Sequence, residues 1–329
     1  MLVEKGFAYE NEGHVLFHVP ADPLYGELSR RSLDEMVDGA RVDIAPYKKD
    51  AKDFVLWKPS SQDQPGWDSP WGSGRPGWHI ECSAMISKHL GQTIDIHGGG
   101  SDLTFPHHEN EAAQSRCAND SPDYVRYWLH NGMLNLGAEK MSKSLGNVKT
   151  IRDLCSKHSG EVLRYALLSG QYRSRLAWSD DLVIQAKSSL DSLYQSLRDK
   201  SGSLTSSDLL INELSFDQYP KGVTEPLTDD LNTPKALAAM HDLAAVLQRA
   251  ESEQEIFAAT QMLLAGGRLL GLLDQEPETY FKQGSKEASL SEDEIENLIQ
   301  ERHAARAEKN FQRADEIREE LSNLSLIHI

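Results

Sequence analysis

Gly77-Trp-His-Ile-Glu-Cys82, Asp95-Ile-His-Gly-Gly-Gly-Ser-Asp102, Phe105-Pro-His-His-Glu-Asn-Glu111 and Lys140-Met-Ser-Lys-Ser144 follow one another within a single stretch of the chain. Apolar periodicity around them alternates between helix and strand. His79 to Leu90 reads as a helix stopped at Gly91, and Thr93 to Ile96 as a strand. Gly98 to Gly100 read as a tight turn after that strand. Pro106 stands where a helix would begin, Glu109 to Arg116 continues it, and Tyr124 to Leu129 is a further strand. This alternation is that of half a doubly wound α/β domain, with no earlier nucleotide-binding β-α-β unit in the chain.

Upstream of that stretch, residues 7–19 alternate around Asn11-Glu-Gly13 and predict a β-hairpin. A short helix is expected near Ser32–Asp38, and Phe54 to Trp57 reads as a short buried strand. Residues 58–76, with Trp67 and Trp71, read as a structured loop. Downstream the pattern turns helical. Thr150, Ser159 and Ser179 stand as caps, the last before a helix bearing Leu182, Ala186, Leu190, Leu193 and Leu197. Lys200 to Asp208 reads as a linker. Thr233 caps a helix with Pro234 in its first turn, and Phe257 to Leu273 is its partner in an antiparallel bundle. Gln275 to Leu290 reads as loop, and Ser291 to Leu321 as a helical hairpin breaking near Asn310. The fold class expected is therefore α/β with a β-rich insertion, followed by an α-helical bundle.

The 329 residues exceed one core's usual size, and 39% hydrophobic with 26% charged residues is an ordinary globular composition. A net charge of −17 opposes a broad basic surface, so a nucleic-acid partner would be met by a local patch. Three cysteines, Cys82, Cys117 and Cys155, suit a reducing compartment better than a disulfide framework. No signal peptide is visible, and the most apolar stretch, Met262–Leu273, is short and carries Arg268.

Cys82 falls in the first turn of its expected helix, where the dipole favours a thiolate. His107 and Glu111, four apart, can share one helix face. Thiolate, imidazole and carboxylate together suit Zn²⁺. Against this, a lone cysteine in a helix is usually a small core residue, and a His/Glu pair usually a solvated face. Glycines after a strand let a ligand approach the backbone, and Asp102 can accept from a hydroxyl or an amine, although such a turn is often only a turn. Lys140 and Lys143 sit on a hydroxyl-rich loop suited to neutralising a triphosphate as it breaks. An arbitrary pair of lysines at that spacing would be a surface loop.

Taken together, the four motifs resemble those of the cysteinyl-tRNA synthetases, class I aminoacyl-tRNA synthetases, from about Gly6 to Leu321. The resemblance implies ATP-dependent activation of cysteine to cysteinyl-adenylate and its transfer to tRNA-Cys. It implies one Zn²⁺ that binds the substrate thiolate, held by Cys82, His107 and Glu111 with a fourth ligand upstream. It implies Mg²⁺ with the ATP, Lys143 on the ATP with Lys140 beside it, and Asp102, Gly99 and Gly100 in the adenylate pocket. Trp78, His79 and His97 would line the cysteine and adenylate site. A cytoplasmic enzyme without membrane contact, monomeric at full length, is implied as well.

By the same resemblance, residues 1–76 are an insertion between the catalytic halves, and 77–149 the second half of a Rossmann-like catalytic domain. Residues 150–199 contact the tRNA stem, 209–274 form the anticodon-binding bundle, and 291–329 are a truncated C-terminal segment. Arg164, Arg173, Arg175 and Arg198 are candidate phosphate contacts, each equally readable as a surface arginine.

The family's first half carries a Cys ligand and a His-Ile-Gly-His signature that this sequence lacks, and Ser322 to Ile329 departs from the family's tail. The chain is thus expected to be a fragment that alone neither activates cysteine nor holds zinc tightly. Two rivals share the motifs. A ligase joining cysteine to an aminosugar would have no use for the helices after Ser291. A non-catalytic tRNA-binding paralogue would not need the lysine loop or the metal ligands.

Overall fold

Ala8–Asn11 (β1) and His14–Phe17 (β2) form the expected hairpin, with Glu12 and Gly13 both at positive φ as a two-residue turn requires. Phe54–Pro59 (β3) pairs antiparallel with β2, and Gly74–Pro76 (β4) with β3, giving the order β1-β2-β3-β4. The computed structural model describes residues 1–32, 45–119, 121, 123–136, 139–140, 149–201, 211, 214–284, 292–307 and 310–323. The helix expected near Ser32–Asp38 and residues 141–148 of the lysine loop lie outside that set. Two units are formed, Met1–Met133 and Leu134–Ile329.

In the first unit, Trp78–His89 (α1) precedes Ile94–Gly100 (β5), and Glu109–Asn119 (α2) crosses over to Val125–Asn131 (β6). Strands β5 and β6 are parallel, in register from Ile94 opposite Val125 to Gly100 opposite Asn131. The glycines therefore end a strand and do not form a turn. Parallel pairing asks only for extended backbone, and glycine supplies it. Helix α2 begins three residues later than Pro106, after an irregular Thr104–His108 segment wound as a π-turn in which Phe105 is extended.

The core of this unit joins Ala8, Val15, Phe17, Phe54 and Leu56 of the four-stranded sheet to Ala113 and Cys117 of α2. Buried Asp53 ties the sheet to its loops: it accepts from Tyr9 Oη at 2.6 Å and from the Val19 and Asp50 amides at 3.0 Å each. One face of α2 is thus seated on the sheet, and the other is left for α1.

In the second unit, Leu134–Leu136 (β7) lies between antiparallel Glu139–Lys140 (β8) and parallel Leu176–Trp178 (β9). Helices follow at Ile151–Cys155 (α3), Gly160–Leu168 (α4) and Asp180–Lys200 (α5), capped by the Thr150, Ser159 and Ser179 side chains as expected. Lys221–Thr228 (α6), Thr233–Arg249 (α7) and Glu253–Leu270 (α8) complete the bundle, whose core includes Leu190, Leu193, Met240, Leu247 and Leu263. Asn232, not Thr233, caps α7, because the Thr233 hydroxyl donates to the Leu168 carbonyl at 2.8 Å. Pro277–Gly284 (α9) is a helix where a loop is expected; Tyr280 stacks on Tyr194 at 3.8 Å and donates to Asp191. Glu292–Ala307 (α10) and Phe311–Asn323 (α11) form the final hairpin, breaking at the expected place. Among the described residues, no helix is long and apolar enough to cross a membrane.

Candidate functional site

Helix α2 buries Glu109, Asn110, Glu111, Gln114 and Ser115, an unusual load of polar side chains for one helix. Each needs a partner, since an unpaired buried polar group costs about 1–3 kcal/mol. Ser29 N donates to Glu109 at 2.8 Å, and Tyr25 Oη donates to Asn110. Gln114 donates to the His79 carbonyl at 2.6 Å and to Ser83 Oγ at 2.7 Å, and Ser115 Oγ donates to Ser83 Oγ at 2.9 Å. These bonds lock α2 to α1 and set Cys82 against Glu111.

The pairing is incomplete: Glu109 Oε1, Gln114 Oε1 and Glu111 Oε2 are each buried without a hydrogen-bond partner, and Glu111 is the one beside imidazoles and a thiol. His97 Nε2 lies 3.4 Å from Glu111 Oε2, near enough for ion-pair attraction but not aligned to donate. Burial pushes the Glu111 carboxyl up to about 7, partly offset by its hydrogen bond with Cys82. Burial, and then the Glu111 charge, push the Cys82 thiol up. The helix begins at Trp78, which leaves Cys82 beyond the first turn, so the expected dipole-stabilised thiolate is replaced by a thiol that keeps its proton in the metal-free chain. The imidazoles shift the other way. Burial lowers His97, and it lowers His108 to about 4 with His97, His130 and His107 adding to the effect. Acids that hold their protons beside neutral imidazoles describe a place that lacks a positive charge.

His97, His108 and Glu111 bring one donor atom each to within 4.8 Å of one another. Of the ligands that the resemblance implies, Glu111 is in that group of three, and Cys82 and His107 are not: Cys82 hydrogen-bonds Glu111, and His107 has its Nδ1 3.0 Å from His79 Nε2 and its ring on Trp78 at 4.4 Å.

Two further residues of the site carry no metal-ligand spacing in the sequence. His130 Nε2 lies 2.8 Å from His108 Nδ1, and the Trp128 ring contacts His97 at 5.0 Å and His108 at 5.3 Å. The available signal was strand alternation: Trp128 and His130 share a face of β6 opposite His97 and Gly99 of β5.

The remaining expected residues fall as follows. His79 is lowered to about 4 by burial and by His107, and its ring sits edge-on to Phe54. Trp78 is 65% exposed, an open stacking face beside His107. Gly99 lies under His108, where a Cβ would come within 3.0 Å of Cε1. Asp102 stands in the short turn after Gly100. Lys140 ends β8, and Lys143 lies outside the described residues. Of the arginines, Arg173 is paired with Asp230 at 2.7 Å, Arg198 with Glu278 at 3.4 Å, and Arg164 lies against Gly271. Arg175 is exposed.

Residues 1–188 match the family described as tRNA synthetases class I (C) catalytic domain, and residues 222–274 match the DALR domain. A cysteine–tRNA ligase of Saccharophagus degradans is 56% identical over 322 residues, covering 98% of this chain and 68% of the relative. Those of Parvibaculum lavamentivorans and Xanthomonas campestris are each 53% identical, covering 99% of this chain and 68% and 69% of their own lengths.

Proposed function

Since the chain belongs to the class I cysteinyl-tRNA synthetase family, we propose that its Cys82–Glu111 centre selects cysteine by sulfur. The selection serves ATP-dependent formation of cysteinyl-adenylate and transfer of the aminoacyl group to tRNA-Cys. One observation carries the reading: a buried carboxylate oxygen without a hydrogen-bond partner, faced by neutral imidazoles and a thiol. That donor set fits Zn²⁺, a borderline-soft ion bound by sulfur, nitrogen and oxygen. When bound, the ion supplies a site that prefers a thiolate to the hydroxyl of serine, a choice that packing alone makes poorly.

Cys82, His107 and Glu111 would hold the metal, with His97 and His108 beside the carboxylate. The Trp78 face and the His79–His107 pair would border the bound amino acid. Gly99, Gly100 and Asp102 would meet the adenylate, and the glycines would let its backbone-facing edge approach. Lys140 and Lys143 would neutralise the phosphates, with Mg²⁺ accompanying the ATP. Residues 1–76 are then an insertion and 77–149 catalytic. Residues 150–199 meet the tRNA stem through exposed cations such as Arg175, and 209–274 approach the anticodon, followed by the 291–329 segment. A monomeric cytoplasmic enzyme suits this reading.

The test is calorimetric titration, with cysteine and with serine, of the zinc-loaded chain joined to the upstream half from which the resemblance draws the fourth metal ligand. Cysteine is expected to bind at least about 100-fold more tightly. Equal binding of the two overturns the proposal.

A further inference from the structure

Helices α4, α5 and α7 leave an open cavity of about 280 Å³ between them, entirely within the second unit. Leu182 and Ala186 of α5 and Leu237 of α7 give it aliphatic walls. Tyr165 and His241 line it as a bonded pair, with Tyr165 Oη 2.9 Å from His241 Nε2. Gln185 lines it from an exposed position, and its carboxamide has no hydrogen-bond partner among the described residues. No Lys, Arg, Asp or Glu is among the described residues that line it. The frame is fixed: the Thr233 hydroxyl donates to the Leu168 carbonyl at 2.8 Å and so ties the start of α7 to the end of α4.

A neutral imidazole has one donor and one acceptor nitrogen. Burial lowers His241, so the ring is neutral near pH 7. The phenol is the stronger acid of the pair and donates to Nε2. The proton of His241 is then on Nδ1, a nitrogen with no hydrogen-bond partner among the described residues. The cavity thus offers one fixed N–H, and the donor and acceptor of a carboxamide, between aliphatic walls. Its volume lies just below the roughly 300–1,000 Å³ of pockets that take larger ligands, so it admits one small molecule. The uncharged lining gives no counter-charge to a phosphate, a carboxylate or an ammonium group. A nucleobase meets all of these terms: it is flat and uncharged, apolar on its faces, and edged with donors and acceptors. Resting on the ligase reading only for the choice of a base over other heterocycles, we infer that this cavity binds one nucleobase, read at its edge by His241 and Gln185. A free nucleoside or an unstacked nucleotide of tRNA supplies the base, and both present the same chemistry.

The test uses the whole chain, with the four ribonucleosides and an unmodified tRNA-Cys transcript as probes. The His241 ring and the Leu237 methyl groups are followed by NMR. At least one probe is expected to shift both. Gln185→Ala, at an exposed position, should weaken that binding about 2- to 10-fold, the loss of one or two hydrogen bonds. Ala238→Leu puts a larger side chain at the cavity's exposed rim and should abolish the shifts. Shifts caused by the transcript and lost in Ala238→Leu, with the transcript still bound, assign the base to tRNA. Shifts caused by a nucleoside that the transcript does not displace assign it to a free nucleoside. Silence at His241 with every probe, or the same shifts in both variants as in the native chain, overturns the inference. These readouts need no catalysis. Failure of the ligase reading is seen separately, as no charging of tRNA-Cys by the chain joined to its upstream half, and the shifts at His241 still decide whether the cavity takes a base.

Discussion

Helices α2 and α8 are both substantially buried, and they are built from opposite materials. Helix α8 buries Ala259, Leu263, Leu264, Ala265 and Leu270 behind a Ser252–Glu255 capping box. Helix α2 buries Glu109, Asn110, Glu111, Gln114 and Ser115, and lends only Ala112, Ala113 and Cys117 to apolar packing. The first is held by area removed from water, a non-directional force that tolerates small shifts. The second is held by paired donors and acceptors, which fix position more tightly but contribute only about 0.5–1.5 kcal/mol each. A helix that must present Glu111 at one place in a reactive centre is better served by the second kind of holding, and a helix that only scaffolds is better served by the first.

The largest expected difference between them is in stability. Leu263 is fully buried among the bundle's apolar side chains, so Leu263→Ala should cost about 2–5 kcal/mol in chemical denaturation of the second unit. A cost below about 1 kcal/mol would show that the bundle collapses around the missing atoms and does not depend on close packing there.

How far each helix could be read from sequence follows the same division. Leu182, Ala186, Leu190, Leu193 and Leu197 announce α5 because apolar burial leaves a periodic trace, and Thr150, Ser159 and Ser179 announce helix starts because capping is local. Burial of polar residues leaves no such trace, and nothing in the sequence marks Glu109 and Gln114 as buried. Counting by helical turns pairs His107 with Glu111 and gives no sign that His97 and His108 gather at the same carboxylate. The glycines read as a turn because their conformational freedom is visible in sequence, whereas the parallel partner that keeps them extended lies about thirty residues on. Helix α9 is hidden for a related reason: its short polar sequence is stabilised by Tyr280 stacking on Tyr194, a contact distant along the chain.

The next expected effect is a dependence on pH at the centre that α2 carries. In chelator-treated protein, the folded Glu111 carboxyl holds its proton up to about pH 7, above its ordinary value of 4.5. Below 4.5 both folded and unfolded chains are protonated there and nothing is lost. Between 4.5 and 7 the unfolded chain gives up the proton first, so stability falls as pH rises and levels off above 7. His79 and His108 act oppositely: lowered to about 4, they contribute stability above 6.5 that is lost as pH falls toward 4. The Glu111 part is isolated by subtracting the curve for Glu111→Gln. The native chain should lose about 1–2 kcal/mol relative to the variant between pH 4.5 and 7 after allowance for solvent screening. A flat difference curve would mean that the carboxyl is already compensated, and the claim that the centre lacks a positive charge would fail.

The smallest effect lies on the other helix. Ser252 Oγ accepts the Glu255 amide at 3.3 Å, and the Glu255 carboxylate accepts the Ser252 amide at 3.1 Å, so two otherwise orphaned donors at the start of α8 are satisfied at once. Ser252→Ala removes one of the two and should cost about 0.5–1 kcal/mol by chemical denaturation. The same substitution should leave zinc affinity unchanged, because the cap acts only on the start of its own helix. A change in metal binding from that substitution would mean that the bundle also sets the geometry of the centre, and the division between a scaffold held by area and a site held by polar pairs would no longer describe this protein.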